Sequence, residues 1–195
     1  MARATVLAAV PMNRRALLRL AAASGSWLLL TGHSPYRQWE VYRKTRLIVL
    51  VSSEEDASVQ LGLAIAALLA EHLPESKAMM ARARDINDVV RLIASKQLDT
   101  ALLREEDAAA AFMGAGRFAD NGKVPLRALA QCGVYVFVCR DDMPRSNGYQ
   151  IAETIAERWK EIDSRLVGWT PGPRPISSMR IPVHPGALEY YEDHP

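Results

Sequence analysis

The feature that most constrains the fold is Leu47-Ile-Val-Leu-Val-Ser52, an unbroken apolar and β-branched run closed by a serine. A strand with one wet face alternates apolar and polar residues. A continuous run belongs instead to a strand covered on both faces, the usual condition of a parallel sheet. Parallel neighbours need a crossover, and the next residues supply one. Ser53 reads as the N-cap of a helix over 54–73. Glu54, Glu55 and Asp56 suit the positive end of its first turn, and Leu61, Ile65, Leu68 and Leu69 recur at helical spacing.

The same alternation continues down the chain. Residues 77–83 read as a strand, 85–96 as a helix capped by Asp85, 98–103 as a strand and 105–113 as an Ala-rich helix. Residues 126–140 read as one long strand, and 149–167 as an amphipathic helix with Ile151, Ile155, Trp159 and Ile162 on one side. Strands alternating with helices over short joints predict an α/β fold, a mostly parallel sheet with helices on both faces. A chain of 195 residues that is 49% hydrophobic and 24% charged can bury one such core and is not a disordered composition. Its net charge is only +2, and eight of the basic residues fall within the first fifty positions, so a nucleic-acid partner is not expected.

Cys132 and Cys139 lie seven apart inside 126–140. On a single strand their side chains point to opposite faces roughly 23 Å apart, beyond disulfide reach, so both are expected as free thiols. Neither sits in a metal-binding spacing, and no cofactor is expected.

The amino-terminal segment 1–33 carries a different signal. Met12-Asn-Arg-Arg-Ala-Leu-Leu-Arg-Leu20 joins the Arg14–Arg15 pair to an apolar run of about 13 residues before His33, well short of the roughly 20 that span a bilayer as a helix. The order of charged then apolar residues resembles a twin-arginine export signal, with Met12 as a possible start. A basic amphipathic helix is the other reading. No small-x-small cleavage triplet follows Thr31, so retention at the inner membrane stands beside release into the periplasm. Residues 34–45 form a linker in which Tyr36, Trp39, Tyr42, Arg37, Arg43 and Lys44 suit either a membrane surface or a short helix packed on the domain.

Near the other end stands Ile181-Pro-Val-His-Pro-Gly-Ala187, followed by Tyr190-Tyr-Glu192. This motif resembles the C-terminal signature of the TAXI-type solute receptors of TRAP transporters. Asp88-Val-Val-Arg-Leu-Ile-Ala-Ser-Lys-Gln-Leu-Asp99 and Leu126-Arg-Ala-Leu-Ala130 are similar to first-lobe segments of the same family. The resemblance covers roughly 46–142 and 149–192. It implies a periplasmic-binding-protein-like fold, an exported protein, a small-molecule solute and membrane transport subunits as partners. Family members have two lobes, whereas this sequence runs from Arg140 almost directly into its last helices, so 46–195 is expected to form a single lobe. The family's tyrosine-containing stretch after the first strand is here Ser52-Ser-Glu-Glu-Asp-Ala-Ser58, and its Gly-Ser-x-x-Asn stretch is Asp85-Ile-Asn-Asp-Val89.

The strand ends and the helix start after Ser53 define the edge where such a lobe would meet a ligand. Ser52, Ser53, Arg84, Arg104 and Glu106 are the candidate ligand-binding residues, the other reading being caps and a solvated face. A carboxylate arriving there would also meet Glu54, Glu55 and Asp56. His184, Pro185 and Gly186 read as a turn that caps the last helix, in preference to a catalytic or metal site. No nucleophile triad, phosphate loop or carboxylate pair stands out, so an enzyme is not expected. Two functions follow as expectations. The first is weak solute binding or docking to a transport subunit. The second is a structural or assembly role, on a membrane complex or as a homodimer, through the lobe edge left uncovered.

Overall fold

A computed structural model describes residues 46–165 and 180–194, all of which belong to one compact unit. Arg14, Arg15, the linker 34–45 and residues 166–179 lie outside the described residues. The first strand, β1 (Ile48–Ser52), is buried at every position, as the unbroken apolar run requires. Helix α1 (Asp56–His72) follows, then β2 (Met79–Ala83), α2 (Ile86–Ala94), β3 (Thr100–Arg104) and α3 (Glu105–Met113). Strands β4 (Leu126–Cys132) and β5 (Tyr135–Arg140) complete a five-stranded sheet. Helices α4 (Arg145–Glu157), α5 (Trp159–Arg165) and α6 (Pro185–Asp193) end the chain. The sheet order is β2-β1-β3-β5-β4, with β1 parallel to both β2 and β3, and β5 antiparallel to both of its neighbours. Four strands therefore share one direction and only β5 is reversed. The fold is α/β, with a mixed sheet covered on both faces.

Each face buries its own core. On one side α1, α4, α5 and α6 place Leu61, Ile65, Leu69, Ile155, Ile162 and Tyr190 against Val49, Val51, Leu102 and Phe137. On the other, α2 and α3 place Val89, Val90, Ile93 and Ala108 against Leu50, Leu103, Val136 and Val138, with Phe118 beneath them. Each large aliphatic side chain so buried contributes about 1.5–3 kcal/mol.

The long strand expected over 126–140 is instead a hairpin. Gly133, at φ +64, and Val134 form a two-residue loop between the paired Cys132 and Tyr135. Glycine in the first central position lets the loop follow the right-handed strand twist. The reversal changes the geometry of the cysteines. Cross-strand partners share a face, so Cys132 lies on the side of Tyr135, and hence of Cys139 four residues on, rather than opposite it. The two sit at opposite ends of the hairpin, about 13 Å apart by strand rise, and both are free and buried. Burial alone pushes the Cys132 thiol up to about 12; Cys139 is raised further, by burial first, with Arg127 opposing and Asp142, Asp141 and Asp99 adding to the rise. The helix expected over 149–167 is also two helices, beginning earlier at Arg145 and interrupted at Arg158.

The His-Pro-Gly turn fixes the last helix to α4. His184 is the N-cap of α6 and is 1% exposed. Its Nδ1 accepts from the Gly186 N–H at 3.2 Å, so Nε2 holds the ring proton and donates to the Met143 carbonyl at 3.0 Å. Pro185 occupies the first helical position, where its missing N–H costs nothing. The helices approach so closely that a Cβ on Gly148 would stand 2.0 Å from His184 Nδ1, and one on Gly186 1.9 Å from the Arg145 carbonyl oxygen. Gly148→Ala should therefore destabilise the fold by about 1–3 kcal/mol in urea unfolding. Much of that cost should vanish in a His184→Ala background, because the obstacle is a side chain. Gly186→Ala meets backbone and should gain no such relief; equal rescue of both would contradict the packing described.

Candidate functional site

The reversal of strand order around β1 creates a switch point. From β1 the chain moves outward to β2, then crosses back to place β3 on the other side of β1. Open α/β sheets bind ligands outside the carboxyl ends of strands at such a point. Here that edge comprises Ser52 and the loop to α1, Ala83 at the end of β2 with Arg84 after it, and Arg104 running into α3.

At the centre of this edge stands an ion pair. Arg104 Nε donates to Glu55 Oε1 at 2.6 Å, and the Tyr135 hydroxyl donates to Glu55 Oε2 at 2.9 Å. The guanidinium also lies 5.6 Å from the centre of the Tyr135 ring, within cation–π range. Topology explains the convergence. Tyr135 opens β5 and pairs with Arg104, the last residue of β3, while Glu55 is the residue before α1. The Glu55 carboxylate thus takes up both the guanidinium and the phenol at the switch point. Its hydrogen bond, and secondarily its charge, raise the Arg104 pKa. Burial, followed by the bond to Glu55, pushes the Tyr135 phenol up to about 12.

The predicted residues divide into separate roles. Ser53 does not cap α1; its N–H and hydroxyl both donate to the Ala83 carbonyl, at 2.9 and 2.8 Å, tying the ends of β1 and β2 together. The helix starts two residues later than the acids suggested, at Asp56 with Glu55 as N-cap. Ser52 is buried and its hydroxyl accepts from the Glu54 N–H at 3.2 Å. Arg84 points to α2, where Asp85 and Asp88 take its guanidinium at 3.0 and 3.2 Å. Asp85 caps that helix, accepting from the Asp88 N–H, a bond that holds its carboxyl below the usual range. Glu106 is exposed, and its charge adds to the raising of Arg104. Only Arg104 of the five candidates stands at the centre of the edge, and its two partners, Glu55 and Tyr135, were not among them.

Behind this edge lies Gln131, 4% exposed, with Nε2 directed to Glu105 Oε2 at 3.4 Å and to the Gly133 carbonyl at 3.5 Å. Its Oε1 is buried with no hydrogen-bond partner among the described residues. Elsewhere, Glu71, His72 and Glu161 bring one potential metal-ligand atom each within 4.8 Å of one another. The His72–Glu161 bond at 3.2 Å and the Arg158 guanidinium 3.6 Å from Glu161 already engage two of these three groups.

The protein-family models and the curated proteins offer no match to this chain. Among the described residues, no helix is long and apolar enough to cross a membrane.

The phenols give the fold a pH signature. Tyr135, Tyr149, Tyr190 and Tyr191 are all raised, burial being the first cause in each case. An unfolded tyrosine ionises near pH 10, so above that value the unfolded chain releases protons that the native one keeps. The stability these neutral phenols contribute is complete below about pH 10 and is lost as pH climbs toward 12. Urea midpoints should fall between about pH 10 and 12, and Tyr135→Phe should make the fall shallower; an unchanged slope in that variant would remove Tyr135 from the account.

Proposed function

We propose that the chain is an exported, single-lobe relative of the TAXI-type receptors, meeting a small solute or a membrane transport subunit at the carboxyl edge of its sheet. The observation that carries this reading is the Glu55–Arg104–Tyr135 cluster. A guanidinium and a phenol converge on one carboxylate at the switch point, the place and chemistry of an anion site. The carboxylate is the protein's own.

Binding of a free carboxylate is then a competition. An incoming acid must displace Glu55, which is tethered beside Arg104 and needs no translational entropy to reach it. Weak affinity follows from this arrangement, as does selectivity for ligands that bring contacts beyond one carboxylate. The same saturation favours the docking alternative, because Glu54 and Asp56 leave an exposed acidic rim that a basic protein surface would complement. Export is part of the proposal through Arg14 and Arg15, and periplasmic release or retention at the inner membrane goes with it.

Two experiments test the halves separately. Glu55→Gln keeps the shape of the side chain and removes its charge, so acetate and succinate should bind this variant about tenfold more tightly than wild type by calorimetry. Binding in neither protein would end the solute reading, and co-purification with a membrane subunit would then carry the docking one. For export, Arg14→Lys with Arg15→Lys should hold a fused reporter in the cytoplasm; an unchanged periplasmic signal would refute the twin-arginine assignment.

A further inference from the structure

The reversed strand builds a second concave surface at the opposite edge. Four strands begin at that edge, but β5 ends there, so its last residue, Arg140, and the loop into α4 open onto a groove of about 740 Å³. Sites for small molecules commonly occupy about 300–1,000 Å³. Leu47, Ile48, Leu73, Leu98 and Ile151 give it apolar walls. Its polar centre is Arg140, 7% exposed, which donates from Nη1 to Asp99 Oδ1 at 3.3 Å and from Nη2 to Asp142 Oδ2.

We propose that this groove is a binding site for a small organic cation, an alkyl amine or diamine whose chain lies along the apolar walls and whose ammonium meets Asp99 and Asp142. The charge balance selects the sign. Arg46 and Arg140 face Glu75, Asp99 and Asp142 in the lining, three acids against two permanent cations, and the lining His72 is bonded to Glu161, which lies outside the groove. Asp99 and Asp142 are 59% and 53% exposed on their side chains, so each keeps oxygen surface open to solvent while the buried guanidinium holds it in place. Helix dipoles do not decide the matter, because α1 ends at the groove with its negative pole and α4 begins there with its positive one. A carboxylate entering here would meet surplus acid, whereas an ammonium would neutralise it.

The site is independent of the carboxyl edge, and so is its test. Calorimetry on the full chain should show saturable binding of pentylamine and 1,5-diaminopentane and none of pentanoate, which shares the carbon chain but carries the opposite charge. Asp142→Asn should weaken amine binding about fivefold, the upper end of what one exposed ion pair supplies, while Asp99 still satisfies Arg140. Asn147→Trp, at an exposed position on the groove wall, should block binding sterically without altering any charge. Circular dichroism confirms that both variants are folded. Absence of saturable amine binding to wild type, equal binding of pentanoate, or affinity unchanged in both folded variants would overturn the proposal.

Discussion

The antiparallel pairing of β5 between β3 and β4 is the constraint on which both edges of the molecule depend. A two-residue loop at Gly133 and Val134 turns the chain back, and five register pairs with β3 hold the returning strand in the middle of the sheet. Because β5 alone runs against its neighbours, its first residue lies at the carboxyl edge of the parallel strands and its last at their amino edge. Tyr135 thereby reaches Glu55 and Arg104, and Arg140 reaches Asp99 and Asp142. One reversal places a phenol at one end of the sheet and a buried guanidinium at the other.

The two edges resolve their charges differently. At the carboxyl edge the cation is satisfied from within, by the Glu55 carboxylate. A partly exposed pair of this kind adds little to stability by itself. At the amino edge the cation is over-satisfied, with two aspartates on one guanidinium and a further glutamate nearby. The buried Arg140 cannot be left unpaired without a large desolvation penalty, so one acid is structurally committed and the other is available to a ligand.

Local signals in the sequence were enough for much of this framework. The unbroken run at 47–52, the Asp85 cap and the Ala-rich segment at 105–113 each appear where local propensity placed them, because tertiary packing agrees with it at those positions. The hairpin was illegible for a physical reason. Both β4 and β5 are buried on both faces, so no alternation marks either one, and the connecting Cys-Gly-Val-Tyr carries a single glycine in place of the Asn-Gly or Asp-Gly pair that announces a tight turn. Ser53 was misread because a serine before an acidic helix start looks the same whether its hydroxyl turns inward to cap or sideways to a neighbouring strand; only the position of Ala83, thirty residues away, decides it.

The candidate site was legible in its residue types but not in its pairing. Arg104 and Glu55 are 49 residues apart, and Glu55 and Tyr135 are 80 apart. Nothing local to either stretch indicates that they meet. The acids at 54–56 were visible as a group, yet nothing in the sequence marked one of them as the partner of Arg104. Glu55 adopts extended backbone at the N-cap without capping the helix by its side chain, which leaves that side chain free to reach across the sheet end. Had Ser53 capped the helix as the sequence suggested, Glu55 would sit inside the first turn and could not take this position. The unexpected start of α1 and the occupied state of Arg104 are therefore consequences of one arrangement of the β1–α1 loop, fixed by the two bonds from Ser53 to Ala83.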